Sequence, residues 1–154
     1  MSGDRSDRVL RIAAAVIVDA DGRLLVVRKT GTDAFMQPGG KLEPGETGAE
    51  CLVRELDEEL ALQVGLGELV LLGRYAAPAA NEAGWMVDCE VFRWEHKSSI
   101  EEPAQRASRN QPVLTVQAEL AEARWASRDE LLALAADGRL APLTWNNLDE
   151  FLAG

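Results

Sequence analysis

The stretch Gly39–Leu62, GGKLEPGETGAECLVRELDEELAL, packs a tight turn, a helix start and a carboxylate cluster together, and its reading decides the fold. Pro38-Gly39-Gly40 and Pro44-Gly45 are turn signals on either side of Lys41-Leu42-Glu43, so the chain turns, runs briefly and turns again before a helix begins. Thr47 supplies the start: its hydroxyl can accept from the first free amides while Glu50, three residues on, reaches back, the spacing of a capping box. From there the pattern predicts a helix to about Leu60. At ~100° per residue, Ala49, Val53, Leu56 and Leu60 fall on one stripe that can dock on a core, and Glu55, Glu58 and Glu59 fall on the opposite face. Like charges at that spacing cost ~0.2–0.5 kcal/mol per pair. A hard divalent cation between them removes the cost, because Mg²⁺, Mn²⁺ and Ca²⁺ all take carboxylate oxygens. The competing reading is a solvated acidic face.

The complete spacing favours the cation. Gly40, five residues, Glu46, seven residues, then Arg54-Glu55-Leu56, one residue, Glu58-Glu59 and Leu62 resembles the Nudix box, with Ala61 where that family has glycine. The glycine would end the helix in a left-handed conformation, so alanine is expected to let the helix run on slightly or end less sharply. The motif covers 23 of the 154 residues, with a looser resemblance in strand order and around Trp125.

The resemblance implies an α+β chain, an α/β/α sandwich with a mixed β-sheet, that hydrolyses a pyrophosphate bond in a nucleoside diphosphate linked to another moiety. It implies Mg²⁺, with Mn²⁺ as a substitute. Carried over by position, Glu55, Glu58 and Glu59 are metal ligands, one of them able to serve as base. The Gly39 carbonyl completes the set, and Arg54 and Glu46 orient the carboxylates. Glu119 is a further candidate acid, in competition with Glu101, Glu102 and a plain exposed strand end.

Composition narrows the classes. A chain of 154 residues that is 47% hydrophobic can bury one sizeable core, so a single domain over 1–154 is expected. A net charge of −10 with no basic run argues against a protein that coats nucleic acid, though an acidic enzyme can act on an acidic substrate when cations bridge the two. MSGDRSDRVL lacks the apolar centre of a signal peptide, and no apolar run approaches the ~18 residues of a membrane span. Two cysteines, Cys51 and Cys89, suit a reducing compartment, so a cytoplasmic location is expected. The expected partner is a small nucleotide or pyrophosphate substrate, and a homodimer is compatible with the chain.

In chain order, residues 1–7 are read as mobile. Val9–Val18, the turn Asp19–Gly22 and Arg23–Lys29 read as an antiparallel hairpin. Arg28 or Lys29, at its end, is a candidate to face a phosphate, as is Lys41; solvated strand ends are the alternative. Leu69–Tyr75 and Trp85–Trp94 read as strands joined by a loop, Ala76–Gly84, that can bend over a pocket. Residues 96–116 read as a flexible loop, either a lid or a neutral insertion. Glu119–Ala126 returns to strand, Ser127 and Glu130 form a second capping box for a helix to about Ala136, and Thr144 caps a last helix through Phe151 whose Trp145, Leu148 and Phe151 dock on the core. Phe35, Tyr75 and Trp85 are the aromatics available to stack on a base, Trp85 serving either the pocket or the core.

Two other classes stay open: a regulatory protein that binds a nucleotide without hydrolysis, and an enzyme on non-nucleotide pyrophosphates or an isomerase relative. A lone His96 and the absence of a GxxxxGK[ST] loop leave a Ser-His-Asp hydrolase and a P-loop enzyme without support.

Overall fold

Strands covered on both faces read as near-continuous apolar runs, and the first two strands are of this kind. In the computed structural model, which describes residues 8–95 and 112–153, β1 is Val9–Val16 and β2 is Leu24–Lys29, with the second half of β1 and most of β2 buried. They are followed by β3 (Phe35–Met36), β4 (Gly39–Lys41), α1 (Gly48–Leu60), a 3₁₀ turn at Leu66–Glu68, β5 (Leu69–Pro78) and β6 (Met86–Trp94). The C-terminal part is β7 (Leu120–Ala126), α2 (Arg128–Ala136), α3 (Pro142–Asn146) and α4 (Leu148–Leu152).

The strands form two sheets, ordered β4-β1-β6-β5 and β3-β2-β7. The first is mixed, because β1 and β6 run parallel while the β4 and β5 edges are antiparallel. The hairpin expected of β1 and β2 is therefore confined to its turn. Asp19 Oδ1 accepts from the amides of Asp21 and Arg23 at 2.9 Å, Val18 bridges Leu24, and beyond Ile17 the strands diverge into different sheets. Strands buried on both faces need a neighbour on each side, and each finds two: β1 takes β4 and β6, and β2 takes β3 and β7.

Side chains alternate across these strands and build two cores. Ala14, Val16, Leu24, Val26, Val87, Cys89 and Val91 face α2, α3 and α4. Ala13, Ala15, Leu25, Val27, Phe92 and Trp94 face α1. The result is the α+β sandwich expected from the sequence.

Helix α1 begins as predicted, with both halves of the Thr47–Glu50 capping box made. Its buried stripe is rotated from the expected one: Cys51, Leu52, Leu56 and Leu60 are fully buried, Ala49 and Val53 only partly. Full burial of a leucine is worth ~1.5–3 kcal/mol, so the three leucines fix how α1 lies on the sheet. Contrary to expectation the helix does not run on. Ala61 itself takes the left-handed conformation (φ 54°, ψ 33°) and ends it. The carbonyls exposed at that end are taken by the incoming chain: Thr115 N–H donates to Leu60, and Gln117 donates to Glu59 through its backbone and to Asp57 through Nε2. Thr115, near the end of the expected loop, is thus tied to α1, and residues 1–7 and 96–111, with Glu101 and Glu102, lie outside the described residues.

The second capping box, Ser127 with Glu130, opens α2 as expected. The last predicted helix is two short ones. Pro142 starts α3, so Thr144 lies inside it and is buried rather than capping. Leu148 and Phe151 reach the core, but Trp145, on the other side of α3, is 47% exposed.

Candidate functional site

Arg54 organises one side of α1. Its Nε and Nη2 donate to the two oxygens of Glu46 at 2.8 and 2.9 Å, its Nη1 donates to Glu55 and Glu58 at 3.1 and 3.2 Å, and its Nη2 also reaches the Lys41 carbonyl. The planar fork suits this bidentate grip. Glu46 in turn accepts from the Glu43 amide at 2.9 Å. The guanidinium first and that amide second hold the Glu46 carboxyl down at about 2, so it is ionised at any working pH. Arg54 is pushed up by the same contact.

Glu55 and Glu59 sit one step further round the helix, against the turn that carries Gly39 and Gly40. A Cβ on Gly40 would lie 2.3 Å from the Glu55 carboxyl, and one on Gly39 2.0 Å from the Ala13 carbonyl, so both positions need glycine to let the backbone pass. Glu59, expected on the solvent face, is only 5% exposed, and its Oε1 is buried with no hydrogen-bond partner. Burial, then the Glu55 charge, raise its pKa to about 7, with Glu119 adding to the rise and Lys29 and a Gly39 backbone contact opposing it. Burial raises Glu55 as well, against the pull of Arg54. A buried unpaired carboxylate oxygen is costly, and the neighbouring Glu55 charge adds to the cost.

This donor set fits a hard divalent cation: carboxylate oxygens, one without a partner, on a glycine turn with no side chain in the way. As the side chains stand, no three acidic groups among the described residues close around a common point. Glu58 is half exposed and drawn to Arg54. Glu119 lies across an open cavity lined by Lys29, Thr30, Thr32, Asn81, Glu82 and Ala118, behind a turn in which Ala118 is left-handed (φ 56°).

Lys29, Asn81 and Glu82 also border a second, apolar cleft, walled by Leu10, Ile12, Met36 and Val87 and floored by Gln37 and Thr144. The loop after β5 lines it through Pro78 to Glu82, as expected of the Ala76–Gly84 segment, and Lys41 stands at its rim, 4.0 Å from Glu82. An apolar slot with a few polar groups, opening beside perturbed carboxylates, has the form of a ligand site.

Four other candidates lie elsewhere. Arg28 faces the opposite side of β2, paired with Glu122 at 3.1 Å and donating to the Thr32 carbonyl. Phe35 is fully buried beneath the guanidinium carbons of Arg124, Arg139 and Arg28 at 4.5 to 6.0 Å, a core residue rather than a base platform. Trp85 is half buried just before β6 and does not line the cleft, and Tyr75 packs edge-on against Phe151. Gln37 and Thr144 were not anticipated. The only sequence signal was a polar residue before Pro38 in an otherwise apolar run.

A family model described as "NUDIX domain" matches residues 9–145. The chain is 41% identical over 58 residues to an RNA pyrophosphohydrolase of Halorhodospira halophila, covering 38% of this chain and 31% of that protein. It is 34% identical over 67 residues to the CTP pyrophosphohydrolase of Escherichia coli, covering 41% and 49%. These matches thus span a third to a half of the curated relatives' length. A solved NUDIX hydrolase from Nitrosomonas europaea superposes with a TM-score of 0.66 at 27% identity, over 92% of this chain and 87% of that one. With the motif, the two-sheet sandwich and a match over most of its length in agreement, this chain belongs to the NUDIX domain family.

Proposed function

We propose that the protein hydrolyses the pyrophosphate linkage of a nucleoside diphosphate derivative, with Mg²⁺, or Mn²⁺ in its place, held by Glu55 and Glu59. Members of the family generally use divalent metals. The observation that carries the reading is the orphaned Glu59 Oε1 beside Glu55 at the Gly39–Gly40 turn. Glu58, Glu119 and the Gly39 carbonyl are the candidates to complete the shell. A bound divalent cation would neutralise phosphoryl oxygens and lower the pKa of a water.

The protein's own groups divide the rest of the work. Arg54, locked by Glu46, keeps Glu55 and Glu58 from swinging away. Lys29 and Lys41 face the space between the carboxylates and the cleft and would meet the phosphates, and the apolar cleft would take the base. The proton of the attacking water goes to a carboxylate of the Glu55, Glu58 and Glu59 set.

The test is release of phosphate or nucleoside monophosphate from a panel of nucleoside triphosphates, dinucleoside polyphosphates and nucleotide sugars, with and without Mg²⁺. Metal-dependent turnover that disappears in Glu59→Gln is expected. Tight nucleotide binding with no turnover under any divalent metal would replace this reading with the regulatory binder.

A further inference from the structure

The floor of the apolar cleft holds two polar side chains that no fold-level requirement explains. Gln37 is 5% and Thr144 1% exposed, and both line the cleft. Gln37 Nε2 donates to the Ala15 carbonyl at 3.2 Å, and Thr144 Oγ1 donates to Gln37 Oε1 at 3.1 Å.

The direction of this chain is fixed from one end. A backbone carbonyl can only accept, so the Ala15 oxygen turns the Gln37 amide with its nitrogen inward and its oxygen toward Thr144. That oxygen can only accept as well, so the single Thr144 hydroxyl proton is committed to it. What Thr144 has left is lone pairs, and no donor among the described residues reaches them. The hydroxyl, ordinarily able to play either part, is here an acceptor.

We propose that Thr144 is a specificity-determining residue that selects a nucleobase carrying a hydrogen-bond donor, an exocyclic amine, at the edge entering the cleft, with Gln37 as the residue that sets its polarity. The inference rests on the proposed nucleotide substrate. For a ring held in one pose by its ribose, replacing the amine by a carbonyl would set two acceptors against each other in a buried place, a mismatch no water can relieve. Cytosine would be accepted over uracil, and adenine over hypoxanthine.

The experiment is calorimetric titration of CDP, UDP, ADP and IDP in Ca²⁺ into the wild type, Thr144→Val and Thr144→Ser, alongside Mg²⁺-dependent turnover of CTP and UTP. The wild type should bind CDP about 10-fold more tightly than UDP, and ADP about 10-fold more tightly than IDP. Thr144→Val should bring both ratios within about 2-fold by weakening the amino-bearing member, and Thr144→Ser should restore them. A residue that merely ties α3 to β3 would weaken all four nucleotides alike. Equal ratios in wild type and folded Thr144→Val overturn the proposal, as do absence of binding by all four nucleotides and failure of Thr144→Ser to rescue. If turnover is present and the ratios ignore Thr144, only this inference fails. If the ratios follow Thr144 and turnover is absent, it is the hydrolytic reading that fails.

Discussion

Arg28 and Lys29 are neighbours on β2, yet they serve two charge clusters of opposite character. Arg28 points toward α2, where it shares Glu122 with Arg124 and lies over the ring of Phe35; each charge there has a partner. Lys29 points toward α1, where it is the cation acting on both Glu55 and Glu59, and one carboxylate oxygen is left with nothing. The first cluster is satisfied within the protein and holds the Thr30–Ala34 loop in place. The second is not, and its unmet demand is what points to a ligand. Charge content does not separate structure from site; the balance of donors and acceptors does.

The sharpest way to break this contrast is at Glu59. Glu59→Gln should lower metal-dependent turnover by about 10²–10⁴-fold, since an amide is a poor ligand for a hard cation and cannot take a proton. The same change should stabilise the metal-free protein. The folded-state pKa is raised from 4.5 to about 7, so the folded form binds the proton more tightly than the unfolded form. The resulting loss of stability is absent below about pH 4.5, grows as pH rises toward 7 and is complete above it, amounting to about 3 kcal/mol. Urea denaturation of both proteins without metal at pH 4 and pH 8 should give similar midpoints at the lower pH and a more stable variant at the higher. A variant less stable than wild type at pH 8 would mean that Glu59 is paired after all.

Arg54→Lys should cost about 10–100-fold in kcat, because one ammonium cannot hold Glu46 with two parallel bonds and still reach Glu55. Single-turnover rates in the folded protein, beside a thermal melt, would separate this from a stability effect. Loss of folding without loss of rate would make Arg54 structural.

The paired residues on β2 allow a direct comparison. Lys29→Met should reduce kcat/KM by about 10-fold or more with a melting temperature near wild type. Arg28→Met should do the reverse, costing about 1 kcal/mol of stability through loss of its bonds to Glu122 and to the Thr32 carbonyl, with Arg124 still on Glu122, while leaving kcat nearly unchanged. Exchange of these phenotypes would reverse the assignment of the two faces.

The smallest effect is expected at Ala61. A non-glycine residue in the left-handed region costs about 1 kcal/mol, so Ala61→Gly should raise stability by about that amount without touching turnover, as a paired melt and assay would show. An unchanged or lowered melting temperature would mean that the denatured-state freedom of glycine outweighs the relief.

Much of this was readable in the residues. Both capping boxes and the Asp19–Gly22 turn depend on neighbours within four positions, and each stands as read. The errors share a different origin. Glu59 was set with Glu55 and Glu58 on the face opposite the core stripe because helical phase was counted from Ala49 and Val53, whereas the sheet packs on Leu52, Leu56 and Leu60, a rotation of one position that carries Glu59 inside. Phe35 looked available as a stacking platform because the arginines that cover it come from residues 124 and 139. Thr144 looked like a cap because its partner, Gln37, is 107 positions away. The motif helix is local and legible, and the cleft beside it is assembled from distant segments and is not.

That division has a consequence for how the chain acquires its structure. The first sheet is centred on a parallel pair in which residues 9–16 lie along residues 86–93, so β1 must wait for most of the domain before its second edge is filled. Pairings this distant in sequence slow folding. β1, β4 and α1, by contrast, all come from residues 9–60, and β1 meets β4 across fewer than half the positions that separate it from β6. On a ribosome the acidic turn has all its parts while the wall made by β6, Ala141 and Thr144 is still unsynthesised. The carboxylates proposed to hold a cation would thus come together before the cleft proposed to select the base, and an interrupted chain would lack that cleft first.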